Sequence, residues 1–184
     1  MFSHGFVKHL LVKRVPVSRK QLSILVLVFG FVLSVRCGFG QQAPANPLVV
    51  PYGTPVSVEV AKKAAAAALE EARKNGLLMA VAVVDPHGDL VYYEKMDNAQ
   101  LGSAKVSVNK ARSAALFKRP TKVFQDALAS GGAGLRVLGL EGAVPVEGGL
   151  PLMVGGKIIG AIGLSGDTSE HDGQCARAGA EAVQ

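Results

Sequence analysis

The chain has 184 residues, about half of them hydrophobic, and carries 20 Lys and Arg against 14 Asp and Glu, a formal net charge of +6. That length suits one domain with enough core to fold without a disulfide or a structural metal. The charge is confined: six of the basic residues lie in 1–40, which hold no acid, and the remainder balances at 14 against 14. No basic stripe is left to follow a phosphate backbone, so nucleic-acid binding is excluded as a leading function.

In chain order, the first segment reads as a targeting leader. Lys8, Lys13, Arg14, Arg19 and Lys20 form a basic start, and Leu22 to Val35 follow as a 14-residue apolar run that Arg36 ends. Basic start, short apolar run and then small residues make the signal-peptide pattern. Gly38-Phe39-Gly40 offers a cleavage site and Ala43-Pro44-Ala45 a second choice. A retained membrane anchor is the rival reading. It is the weaker one, because a spanning helix needs about 20 apolar residues. The expectation is an exported protein, periplasmic or secreted, with no stable membrane span once residues 1–40 are removed. One cysteine, Cys175, then remains. Alone it cannot close an internal bridge, and its Ala- and Gly-rich setting suggests a buried thiol.

Residues 41–56 hold prolines at 44, 47, 51 and 55 and read as an extended arm, either a linker or a strap over a neighbouring subunit. The folded domain is expected over 57–184. Ser57 is a plausible N-cap for an alanine-dense helix, Val58 to Lys74, which Asn75-Gly76 stops. Leu77 to Val84 reads as a buried strand, Asp85 to Asp89 as a turn and Leu90 to Met96 as the returning strand. A helix is expected from Ser103 to Leu116, and Pro120 opens a short one through Ala129. Gly131, Gly132 and Gly134 suggest a loop. Ala143 to Val146 is a candidate strand, and Leu150 to Val154 and Lys157 to Leu164 form a hairpin across Gly155-Gly156. A last helix runs from Ser169 to Val183. The order contains no βαβ alternation. It therefore predicts an α+β fold, an antiparallel sheet of about five strands flanked by helices.

Several strings together carry a resemblance. They are Val84-Asp85-x-x-Gly88, Met96-Asp97, Lys110-Ala111, Phe117-x-x-Pro120-Thr121, Gly148-Gly149-x-Pro151 and Gly160-Ala161-x-Gly163-x-Ser165-Gly166. Over residues 57–184 the chain resembles the GlcG/HbpS-like haem-binding family. The resemblance implies a profilin-like antiparallel sheet, a tendency to form homo-oligomers, and haem as a small-molecule ligand. A related module appended to some cobalamin adenosyltransferases makes a corrinoid the alternative tetrapyrrole. Two departures stand out. Lys95-Met96-Asp97-Asn98 replaces the family's Arg-Met-Asp-Gly, and Ser113 stands where a threonine is usual.

With haem in view, the segment 103–117 is the candidate ligand surface. Lys105, Asn109, Arg112 and Ser113 share a side of the predicted helix and would offer cations to propionates, and Phe117 could cover a ring face. His171, at the start of the last helix beside Asp172, is a candidate ligand to iron, with a surface histidine as the ordinary alternative. His87 sits in a turn, and Met96 and Met153 lie on apolar strands where core packing is the plainer role. No catalytic residue is assigned: the glycine pairs match no phosphate loop and Ser165 lies in no GxSxG context. The metal ligand is left open. The leading expectation is therefore an exported tetrapyrrole-binding protein. The alternatives are an enzyme or accessory acting on a small organic molecule or degrading haem, and a structural oligomer.

Overall fold

The structure is a computed structural model that describes residues 50–184. The predicted leader, 1–40, and residues 41–49 of the arm lie outside the described residues. The elements are α1 (Val58–Lys74), β1 (Ala80–Val84), β2 (Leu90–Lys95), α2 (Ser103–Phe117), α3 (Lys122–Ala129), a 3-10 helix (Gly132–Gly139), β3 (Gly149–Val154), β4 (Lys157–Ser165) and α4 (Ser169–Glu181). The strands form one antiparallel sheet in the order β2-β1-β4-β3.

The helix ends follow local chemistry. The Ser57 hydroxyl accepts from the Val60 amide at 3.3 Å, and Glu59 in the first turn meets the positive end of the α1 dipole. Thr168 caps α4 in the same way, accepting from the His171 amide at 3.3 Å. α2 ends on Lys118 in the left-handed conformation, φ 55, whose amide donates back to the α2 carbonyls.

The sheet has two unlike faces, and the period-two alternation of β1 and β4 makes them so. Val81, Val83, Ile162 and Leu164 point one way and form the main core with Met79, Leu69, Leu152 and the alanine stripe of α1, beside α4. Each such aliphatic side chain contributes roughly 1.5–3 kcal/mol on burial. Ala82, Val84 and Ala161 point the other way, against Ala111, Ala114 and Ala115 of α2. Small residues on both sides bring α2 almost into backbone contact with the sheet. At Gly163 a Cβ would collide with the Ser107 carbonyl and approach the Ala111 amide nitrogen to 2.6 Å. Cys175 is fully buried, as its setting suggested. Burial pushes its thiol up to about 11, helped by the negative charges of Glu71 and Asp172, so it stays protonated and inert.

Two expectations need correction. Ala143 to Val146 is not a strand, so the sheet has four strands rather than about five. Ala143 N–H closes a turn onto the Leu140 carbonyl at 3.1 Å, Val144 N–H donates to the Ser113 hydroxyl at 3.1 Å, and just beyond the segment Glu147 N–H donates to Gln125 Oε1 at 2.7 Å. The glycine-rich stretch after α3 is no open loop either, because it winds directly into the 3-10 helix. Beside β4 the arm fills the place β1 leaves. Tyr52 bridges Ile158 in parallel, Ile158 N–H donates to the Pro51 carbonyl at 3.0 Å, and Val56 N–H donates to the Ile159 carbonyl at 2.7 Å. Residues 50–56 therefore strap the domain's own sheet.

Candidate functional site

Where α2, α3, β3, β4 and α4 converge, the sequence places polar residues that the core cannot absorb without partners. Lys110 lies on the inner stripe of α2 with Ser103, Ser107 and Ala114, and its ammonium meets the Asp172 carboxylate of α4 at 2.5 Å. Both side chains are almost wholly buried. Burial pushes the Lys110 pKa down and the Asp172 pKa up, and each partner's charge opposes the shift. Gly148 makes room for the pair: its φ is +124, and a Cβ there would stand 2.9 Å from Lys110 Nζ and 2.8 Å from Asp172 Cβ. Next to it, buried Glu147 accepts from Arg177 Nη1 at 2.9 Å. The result is an alternation of charge, Asp172, Lys110, Glu147, Arg177, that starts in the interior and ends on a half-exposed guanidinium.

Arg177 belongs to the wall of a groove of about 330 Å³. Leu150, Pro151, Met153, Ile158 and Ala180 make its apolar part, and Lys118, Arg177 and Glu181 bring charge. Lys118 is already engaged. Its ammonium donates to the Val50 carbonyl at 3.0 Å and stands 4.2 Å from the centroid of the Tyr52 ring, while the Tyr52 hydroxyl donates to the Ala115 carbonyl at 2.8 Å. The strap thus satisfies carbonyls left over at the end of α2 and forms one side of the groove. Met153 adds a thioether to the wall. By contrast, Met96 Sδ accepts from the Met79 amide at 3.4 Å.

The residues singled out in the sequence are dispersed. Lys105, Asn109 and Arg112 share the outer face of α2, and Arg112 Nε donates to the Gly88 carbonyl at 2.9 Å, tying α2 to the β1–β2 turn. Ser113 turns inward instead, fully buried and bonded to Val144. Phe117 packs edge-on against Phe124 with centroids 5.3 Å apart. His171 is half-exposed on the first turn of α4, 3.5 Å from Asp167. None of the six lines the groove. Lys95 donates to the Ala99 carbonyl at 3.3 Å and lines a separate polar cavity with Arg73, Glu94 and Asp97.

Lys110, Glu147, Asp172, Arg177 and Lys118 come together as a group only in the fold. The spacing 103, 107, 110, 114 does mark a stripe of one helix face, which is the signal that could have placed Lys110 inside. Among the described residues no group of three or more His, Cys, Asp or Glu could hold a metal ion, and no helix is long and apolar enough to cross a membrane.

Residues 56–181 match the family described as haem degrading protein HbpS-like. Protein GlcG of Escherichia coli (strain K12) is 38% identical over 110 residues, covering 60% of this chain and 81% of GlcG. The crystal structure of a double mutant of Streptomyces reticuli HbpS is similar with a TM-score of 0.65 and 31% identity, covering 77% of this chain and 96% of that one. The structure of a PduOC–haem complex is similar with a TM-score of 0.64 and 27% identity, covering 71% of this chain and 96% of that one.

Proposed function

The chain belongs to the HbpS-like family, and from that membership we propose that it is an exported haem-binding protein that holds its ligand in the groove between β3 and α4. One observation carries the placement: the groove joins an apolar wall of Leu150, Pro151, Met153, Ile158 and Ala180 to the cations Lys118 and Arg177. That combination suits a flat apolar ring with carboxylates at its edge. Its volume lies at the low end of the roughly 300–1,000 Å³ usual for small-molecule pockets. Part of a porphyrin would therefore stand outside it. Met153 would supply a soft thioether to iron, one of the donors that haem proteins use. The outer face of α2, with Lys105, Asn109 and Arg112, is the second surface to probe.

Family membership and the similarity to a protein crystallised with haem support the ligand. The basic start and short apolar run of residues 1–40 support export. A corrinoid is the alternative tetrapyrrole, and haem degradation is the alternative activity, favoured by the description of the family.

The test is a haem titration of the protein recovered from cells that express the full chain, followed by the Soret band and by mass. A saturable, stoichiometric Soret shift is expected, on a protein whose mass has lost residues 1–40. A non-saturating signal beside saturable binding of cobalamin would replace haem by a corrinoid. Loss of the haem spectrum on adding reductant and oxygen would turn the binding protein into an enzyme. An intact leader on the recovered protein would overturn cleavage alone and favour the retained membrane anchor.

A further inference from the structure

We propose that Arg177 is the specificity residue of the groove, taking one free carboxylate of a planar apolar ligand, and that Glu147 holds it in position. The inference rests on the haem-binding reading. It deepens that reading by naming which ligand group is recognised and by which side chain.

Of the two cations on the groove wall, Lys118 is committed to the strap, with a carbonyl at 3.0 Å and the Tyr52 ring at 4.2 Å. Arg177 is not so occupied. A guanidinium has five N–H donors in a fixed fork. Among the described residues this one hydrogen-bonds through Nη1 alone, to Glu147 Oε1 at 2.9 Å. The two partners differ sharply in exposure: the Glu147 side chain is 9% exposed and that of Arg177 53%. The carboxylate is the fixed member of the pair. Its own backbone is pinned on both sides, by Glu147 N–H donating to Gln125 Oε1 at 2.7 Å and by Leu164 N–H donating to the Gly148 carbonyl at 2.9 Å. A side chain tethered at one nitrogen and open to solvent at the rest is pre-oriented for a second carboxylate, and little conformational freedom is left to lose on binding. Glu181, one helical turn beyond Arg177 on the same wall, repels a second anion. One carboxylate is therefore gripped, and the other end of a dicarboxylate ligand faces away from Glu181.

The test compares haem with haem dimethyl ester, which keeps the ring and iron and lacks free carboxylates, by equilibrium titration. The wild type should bind the ester about ten-fold more weakly, the scale of one charge-assisted hydrogen bond. Arg177→Gln should weaken haem to the level of the ester and leave the ester unchanged. Arg177→Lys should fall between, because charge remains and the fork is lost. Glu147→Ala should lower the haem-to-ester ratio; an equal loss for both ligands would make Glu147 merely structural and overturn its positioning role. Equal binding of haem and ester by the wild type, or an undiminished ratio in Arg177→Gln, would overturn the inference while haem binding stands. No saturable haem binding by the wild type would overturn the proposed function and this inference with it. Far-UV circular dichroism checks folding, and if Arg177→Gln unfolds, the ester ratio of the wild type and Arg177→Lys decides.

Discussion

Lys110 and Asp172 meet at 2.5 Å in the interior, and nothing about their pairing is optional once both are there. A buried pair adds little net stability over an apolar pair of the same shape, yet removing one partner strands a charge. Lys110→Met should therefore destabilise the protein by about 3–5 kcal/mol at pH 7 in urea denaturation, and Lys110→Met with Asp172→Leu should recover most of that loss. The pH dependence has a definite sign. Burial already raises the Asp172 pKa above its usual 3.8, and without the lysine the opposing influence is gone. A carboxyl with a raised folded pKa has its stability contribution intact below the unfolded value and loses it as pH rises through the folded value. The deficit of Lys110→Met relative to the wild type should thus be smallest near pH 4 and grow towards neutrality. A Lys110→Met protein as stable as the wild type at pH 7 would show that the Asp172 charge is not stranded. Arg177 is half-exposed but its partner Glu147 is buried, so Arg177→Gln, which keeps an amide donor for that carboxylate, is the replacement suited to probe binding.

Between elements, the strap and α2 are joined by the Tyr52 hydroxyl on the Ala115 carbonyl and by one strained residue, Lys118. Lys118 takes φ 55, a conformation that costs a residue with a Cβ roughly 1–2 kcal/mol, and its side chain offsets that by holding Val50 and Tyr52. Lys118→Ala keeps the strain and loses the contacts, whereas Lys118→Gly loses both. The alanine variant should be less stable than the glycine variant by about 1 kcal/mol in thermal or urea unfolding. Equal stability would mean that the left-handed turn carries no strain. Much of this architecture is legible in the sequence where the signal is local. Ser57 and Asn75-Gly76 mark both ends of α1, and the turns at Asp85 to Asp89 and Gly155-Gly156 mark both hairpins. The rest depends on partners far away in the chain. Ala143 to Val146 has the composition of a strand, and it fails to be one because the Ala143 and Val144 amides go to Leu140 and Ser113 and Pro145 has none to give. In α2 both faces are mixed, with Ser103, Ser107 and Lys110 inside and Val106 and Leu116 outside, so composition does not say which side meets the sheet. Sequence spacing therefore places Ser113 with the solvent-facing Lys105, Asn109 and Arg112, and the Lys110–Asp172 pair exists only where two helices meet.

At the scale of the whole domain, the two faces of the sheet are covered, so any further association must use what the helices leave outside. Single exposed apolar residues are ordinary, whereas several in one region mark an interaction surface. Val123 of α3, Leu135 and Leu138 of the 3-10 helix, and Leu140 and Val146 of the following loop are all exposed, Leu138 at 69%. α3 packs on the 3-10 helix, which brings these residues to one region of the molecule. Such a surface suits a second copy of the chain, in line with the homo-oligomer expected from the family resemblance. Sedimentation velocity at micromolar concentration should accordingly give a mass above that of the monomer. Leu138→Asp should shift the distribution towards monomer, because association would desolvate the new carboxylate without a partner. The same substitution should leave the thermal midpoint of the monomer nearly unchanged, since the side chain it replaces is mostly in solvent. A wild type that sediments as a monomer throughout this range would remove self-association altogether. An oligomer indifferent to Leu138→Asp would move the contact elsewhere, and the outer face of α2, with Val106 and Leu116 exposed beside Arg112, is the next surface to change.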